Sequence, residues 1–264
     1  LFSVKTSGIP ADKRHPFGHG KVENISGTIE ALLIFGAAIW IIFEAIEKLK
    51  HPSAIEAAGW GVAVMLISAL ANIFVSRMLF KVGKETDSVA LIADAWHLRT
   101  DVYTSAGVMI GIGAIWLGPY VLPDADLRWV DPVAAMLVAF LIIKAAYGLT
   151  RESAKDLMDV GLPPEEQAWI KDLIENHRPQ IHGFHQLRTR KAGHFRFIEF
   201  HLKVDRHLSV ETSHAITEDL TAHIEEHFPD SSVMIHIEPC DGMCNQKCLE
   251  GCFLNESQRQ SLKS

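Results

Sequence analysis

Four groups of side chains in this sequence are of types that hold metal ions or carry protons. The first lies in Asp94-Ala-Trp-His97-Leu-Arg-Thr-Asp101. A helix places residues four apart on one face. His97 and Asp101 would then present an imidazole and a carboxylate together, half of a tetrahedral site for zinc or a similar ion. The competing reading has His97 only capping or hydrogen-bonding near an interface. The second group lies in Asp12-Lys-Arg-His15-Pro-Phe-Gly-His19-Gly-Lys21, where Asp12, His15 and His19 fall within eight residues. Gly18 and Gly20 let the backbone fold tightly around an ion, although a solvated polar loop would have a similar composition.

The third group is spread through the last hundred residues. In Phe197-Ile-Glu-Phe-His201-Leu-Lys-Val-Asp205, alternation puts Ile198, Phe200, Leu202 and Val204 on one face of a strand and Glu199, His201 and Lys203 on the other. In Val233-Met-Ile-His236-Ile-Glu238, His236 and Glu238 likewise oppose Val233, Ile235 and Ile237. His185 precedes a first strand, and His214 falls in the first turns of a helix. Several imidazoles with a carboxylate suit zinc; surface histidines without a role are the alternative. The fourth group is Cys240, Cys244, Cys248 and Cys252. A spacing of four would align these thiols on a helix, but Gly242 and Gly251 oppose a firm one. Soft-metal capture and incidental or redox-sensitive thiols both fit. His223 and His227 are expected to face solvent. No HExxH, GxSxG or P-loop motif is present.

These residues need elements to position them. Ala57–Ser76 and Val102–Pro123 carry no formal charge over 20 and 22 residues, enough for a helix to cross about 30 Å of hydrocarbon. Ala31–Phe43, bordered by Glu30 and Glu44, and Pro132–Ile143, between Asp131 and Lys144, are shorter apolar runs. Beside two firm spans they read as further spans with polar ends or functional acids. Short-loop Lys and Arg set the orientation. Residues 1–21 hold Lys5, Lys13, Arg14 and Lys21, and the loop expected at 77–86 holds Arg77, Lys81 and Lys84, against Lys48, Lys50 and Arg128 on the other side. The N-terminal segment and everything after Arg151 are therefore expected in the cytoplasm, with Trp60, Trp116, Tyr120 and Trp129 as an aromatic belt at the far interface. The soluble part reads as a helix from Leu162-Pro-Pro-Glu-Glu to about His177, strands at Gln186–Lys191 and Phe195–Asp205, a helix at Val210–Phe228 and a strand at Ser232–Glu238. The order αββαβ suggests a small open sheet with helices on one face. The tail after Cys240 shows no clear core.

Overall composition agrees. Hydrophobic residues make up 48% of the 264, which excludes general disorder. Ten of the 14 histidines follow residue 150, where 13 Lys and Arg face 19 Asp and Glu. A net charge of −7 without a basic stripe excludes nucleic acid as a partner. All four cysteines sit in the last 25 residues, so there is no disulfide scaffold. The chain begins at Leu1 without a charged n-region, so no signal peptide is read.

The segments HPFGHGKVE (15–23), DSVALIADAWHLRTD (87–101), FHQLRTRKAG (184–193), FIEFHLKVD (197–205) and MIHIEPC (234–240) resemble the cation diffusion facilitator family of divalent-metal transporters, its bacterial zinc-exporting branch above all. The resemblance implies an α-helical membrane protein with four spans visible of a six-span fold. It adds a cytoplasmic αββαβ ferredoxin-like, metallochaperone-like domain. It implies a homodimer in the bacterial inner membrane that exchanges cytoplasmic Zn2+ for protons, with Fe2+, Cd2+ or Mn2+ as other cargoes. The same likeness makes His97 and Asp101 half of the transport site, whose other ligands would lie on a second span upstream of Leu1. Asp12, His15 and His19 become a loop site, and His185, His201, His214, His236 and Glu238 a binuclear regulatory site. Relatives often carry Asp at the position of Glu238, whose extra methylene alters bridging reach. The domains expected are a metal-binding loop at 1–21, a transmembrane domain at 22–152, a metal-binding dimerisation domain at 153–240 and a Cys-containing tail at 241–264. Two other readings are a membrane metalloenzyme, which no nucleophile motif supports, and a non-transporting subunit that senses metal beside an active partner.

Overall fold

The computed structural model describes residues 2–51, 59–121 and 129–263. Leu1, Ala57, Ala58, Pro123 and Arg128 lie outside the described residues, as do the side chains of Trp60, Trp116 and Tyr120. The chain divides into two compact units, residues 1–157 and 158–264.

The first unit is helical: α1 (Phe2–Ser7), α2 (Lys21–Lys50), α3 (Gly59–Glu85), α4 (Val89–Val121) and α5 (Val130–Leu157). Lys21–Lys50, Val62–Glu85 and Val130–Leu157 are long and apolar enough to cross a membrane. The helix through the remaining expected span, α4, runs 33 residues. Trp40, Phe43, Ile67, Phe74 and Phe140 are each more than 60% exposed. Such a surface is unfavourable in water and natural against lipid. Without a hydrophobic drive between helices, close approach depends on small residues. Accordingly α2 buries Asn24, Gly27, Ala31, Ile34 and Ala38, and α5 buries Ala139, Ile142, Ala146, Leu149 and Ser153, two stripes at three- and four-residue spacing. Glu23 at the start of α2 is 1% exposed and accepts hydrogen bonds from Ser88 Oγ and from the Ala90 N–H, which ties α2 to the first turn of α4.

The expected loop at 77–86 is instead mostly helix, because α3 continues through Glu85. Arg and Lys are good helix formers whose long apolar stems let their charged heads reach water beyond a span's end.

The second unit holds α6 (Pro164–Asn176), β1 (Ile181–Ala192), β2 (Phe195–Asp205), α7 (Val210–His227), β3 (Ser231–Cys240), α8 (Gln246–Glu250) and α9 (Glu256–Ser261). The sheet order is β1-β2-β3, with β1 antiparallel and β3 parallel to β2. The apolar faces close as alternation requires. Ile198, Phe200, Leu202 and Val204 of β2 are at most 3% exposed and pack with Ile170 and Ile174 of α6 and Ile216, Leu220 and Ile224 of α7. Strand β1 begins five residues before the expected Gln186. A register shift between His185 and Arg188, with Gln186 at φ 53°, breaks the two-residue period that marks a strand in sequence. Strand β3 also runs past Glu238 to Cys240, since Pro239 is tolerated on an edge strand. The tail is not without a core: Phe253 packs on the main cluster, and α8 and α9 are capped by Asn245 and Asn255.

Candidate metal centres

The sheet register builds the best-formed site. His185 of β1 pairs with His201 of β2, which pairs with His236 of β3, so three imidazoles lie in one row on the face away from the helices. Ring centroids are 5.0 Å apart for His185 and His201 and 4.7 Å apart for His201 and His236. Glu238 reaches back into this row. Its Oε1 is 2.6 Å from His201 Nδ1 and its Oε2 is 3.1 Å from His185 Nε2. His236 Nε2 stands 3.8 Å from Glu238 Oε1, while its side chain is 64% exposed. The ligand atoms of His185, His201 and Glu238 all lie within 4.8 Å of one another, two imidazoles and a carboxylate of the kind that holds zinc.

One competitor shares the carboxylate. Lys203 Nζ lies 2.6 Å from Glu238 Oε2, the oxygen that also meets His185. Partial burial acts to raise the Glu238 carboxyl, but hydrogen bonds from Lys203, His201 and His185 outweigh it and hold the carboxyl at about 2. Burial works against charge on Lys203, and its bond to Glu238 reverses that and raises it. An arriving cation therefore meets an ionised carboxylate and must share it with an ammonium group. His214 is not brought to this row: it lies exposed on α7, 3.6 Å from Glu218.

The loop group also converges. The Asp12 carboxylate accepts the backbone N–H groups of Arg14 and His15, both at 2.7 Å, and these two bonds, His15 first, lower its pKa. Gly18, at φ 78°, lets its own N–H turn back to the His15 carbonyl at 2.9 Å. The result sets His15 Nδ1 3.3 Å and His19 Nε2 3.7 Å from Asp12, with all three ligand atoms within 4.8 Å. His19 Nδ1 is buried without a hydrogen-bond partner among the described residues.

His97 and Asp101 sit one turn apart on α4, His97 exposed and Asp101 half-buried. Among the described residues no third ligand closes a cluster with them. Facing them from α2, the Glu30 carboxyl hydrogen-bonds with Asp94 and interacts electrostatically with His97. Glu30 was legible in sequence only as an acid bordering a span; the pairing depends on how α2 meets α4.

A further cluster escaped sequence reading. His177 Nε2 at the end of α6 lies 2.8 Å from Asp219 Oδ2 of α7, and His223 Nδ1 lies 3.7 Å from Asp219 Oδ1. His223 and His227 are exposed, as their positions suggest, but both have partners: His227 stacks on Trp169 with centroids 3.9 Å apart.

The architecture is that of a membrane cation transporter with an attached cytoplasmic domain. Residues 1–158 match the cation efflux transmembrane domain and residues 162–240 match the cation efflux protein cytoplasmic domain, so the chain belongs to the cation efflux family. The Synechocystis sp. protein named uncharacterized transporter sll1263 is 35% identical over 241 residues, covering 91% of this chain and 76% of that protein. The cation-efflux pump FieF of Citrobacter koseri is 31% identical over 242 residues, covering 91% and 77%. A solved chain of CzrB in its Zn form is 36% identical, covers 33% of this chain and 99% of its own length, and superposes with a TM-score of 0.31. The protein is thus an integral membrane transporter of divalent metal cations, with a cytoplasmic C-terminal domain, and not an enzyme.

Proposed function

We propose that this protein exports Zn2+ from the cytoplasm across a bacterial inner membrane in exchange for protons, working as a homodimer. The observation that carries this reading is the imidazole and carboxylate of His97 and Asp101 on one face of α4, inside a cation efflux membrane domain. Imidazole favours zinc, iron or cadmium over manganese. Binding needs a neutral His97 and an ionised Asp101, so metal arriving from the cytoplasm releases protons. On the far side, protons compete for the same two groups and drive release. Rocking of helices about a fixed site would alternate access. Glu30 and Asp94 extend the polar lining beside His97 and give the departing proton a path along α2.

The loop of Asp12, His15 and His19 offers a second ion position ahead of the span. The row of His185, His201 and His236 with Glu238 acts as a cytoplasmic metal sensor, and its cation would lessen repulsion between two acidic domains and shift the population toward a compact dimer.

The test is zinc uptake into inside-out vesicles carrying the protein, with and without an imposed proton gradient, beside His97→Ala. Gradient-dependent accumulation abolished by His97→Ala is the expected result. Uptake of iron or manganese but not zinc would overturn the choice of cargo. No uptake of any of them would overturn transport by this chain and favour a metal-sensing partner subunit.

A further inference from the structure

The end of β3 and the tail beyond it carry four thiols that the transport reading leaves unused, and all four are free. Cys240 ends β3 and is buried, Cys244 precedes α8, Cys248 lies within it and Cys252 follows it. The tail is docked. The Phe184 N–H donates to the Gly251 carbonyl at 3.0 Å, the Phe253 N–H donates to the His182 carbonyl at 2.9 Å, and Cys252 bridges antiparallel to Gly183. The segment between Cys240 and Cys252 therefore crosses the end of the sheet from β3 to the outer edge of β1. It ends level with Lys203 and Glu238, because Gly183 pairs with Lys203 and Lys203 with Glu238. Gly251 permits the approach: a Cβ there would collide with the Phe184 carbonyl oxygen.

Helices of five and six residues do not hold themselves, and small segments without a core of their own are ordinarily stapled by disulfides or metal. The thiols are gathered where such a staple would act. Cys248 and Cys244 are hydrogen-bonded to each other. Cys248 and Cys240 each interact electrostatically with both Cys244 and Cys252. Two cations face the group: Arg259 Nη1 donates to Cys252 Sγ at 3.9 Å, and Lys203 acts electrostatically on both Cys240 and Cys248. No three sulfurs are yet at ligand spacing among the described residues, so closure requires rotamer changes of the cysteines.

We propose that Cys240, Cys244, Cys248 and Cys252 form a tetrathiolate site for one zinc-type soft divalent cation, which staples the tail to the sheet beside the His185–His201–Glu238 cluster. Each S–H gives its proton to solvent as a sulfur–metal bond forms, so binding strengthens as pH rises. Lys203 and Arg259 offset the excess negative charge of four thiolates. The site stands whether or not His97 transports zinc.

The test titrates cobalt(II) into the full chain in detergent, under reductant, in a His185→Ala/His201→Ala background. A sulfur-to-cobalt charge-transfer absorption, lost in Cys244→Ser/Cys248→Ser, is expected. Zinc should also protect all four thiols from alkylation, and protection of the remaining Cys240 and Cys252 should vanish in the same variant. No charge-transfer band, or equal alkylation with and without zinc, would overturn the proposal. So would a stable disulfide between any two of these cysteines in the metal-free protein, kept after zinc is added.

Discussion

Glu238→Gln is the most informative single perturbation of the cytoplasmic unit. Gln keeps the shape of Glu but removes the charge that His185, His201 and Lys203 all address. Holding the carboxyl at about 2 instead of its ordinary 4.5 corresponds to at most about 3.4 kcal/mol, at about 1.36 kcal/mol per pH unit. Solvent reaches the group, with Glu238 23% and Lys203 20% exposed, and screening brings the loss to about 1–2 kcal/mol. The folded pKa lies below the unfolded one. The stabilisation is therefore complete above about pH 4.5 and disappears as pH falls through about 2. Residues 158–264 form a compact unit with its own core, and Trp169 is their only tryptophan, so its fluorescence reports unfolding of that piece alone. In chelator at neutral pH, Glu238→Gln should melt about 4–8 °C below wild type, at roughly 4 °C per kcal/mol for a domain of this size. The gap should narrow between about pH 4.5 and pH 3. In a Cys244→Ser/Cys248→Ser background, added zinc should raise the melting temperature where Glu238 is intact and leave Glu238→Gln almost unmoved. Equal melting temperatures at neutral pH, or a gap that does not change on acidification, would refute the account of Glu238 as the charged hub of this row.

Other outcomes follow from the same structure. Phe200→Ala, at a side chain 1% exposed, should cost the cytoplasmic unit about 3–5 kcal/mol by urea denaturation; a loss under about 1 kcal/mol would mean Phe200 is not the centre of that core. Asp12→Asn removes the anion that orients the His15 and Arg14 amides, and equilibrium dialysis against zinc in a background lacking His97, His201, Cys244 and Cys248 should show weaker binding by about tenfold or more, whereas unchanged binding would place the ion elsewhere. Gly251→Ala forces a Cβ against the Phe184 carbonyl and should free the tail at about 1–3 kcal/mol, read as roughly tenfold faster limited proteolysis after Cys240 with β-sheet content unchanged; an equally protected tail would show that its docking does not depend on this approach.

Much of the architecture is written locally in the chain. Uncharged runs of about 20 residues announce spans because hydrocarbon tolerates only helices with apolar side chains. The alternation in β2 announces its two faces because a strand's side chains alternate strictly, and Ile198 to Val204 are buried as that period requires. The αββαβ order and the pairing of His97 with Asp101 on one helical turn were legible for the same reason: each depends only on spacing within one element. Elements of β1 were hidden by a bulge at Gln186, which breaks the period that makes a strand visible.

What joins different elements was decided by tertiary structure alone. Three histidines 16 to 51 residues apart become one row through the register of β1, β2 and β3. Lys203, unremarkable in sequence, becomes the competitor for Glu238 by standing opposite it. Glu30 meets Asp94 only because α2 packs against α4, and His177 meets Asp219 only because α6 lies beside α7. The fourfold spacing of the tail's thiols is interrupted by glycine and forms no long helix; two backbone hydrogen bonds instead dock the segment around Cys252 against the outer edge of β1. A side chain's type and its neighbours within one element are properties of the sequence. Its partners across space depend on register and packing, which are set by the burial of apolar surface over the whole unit.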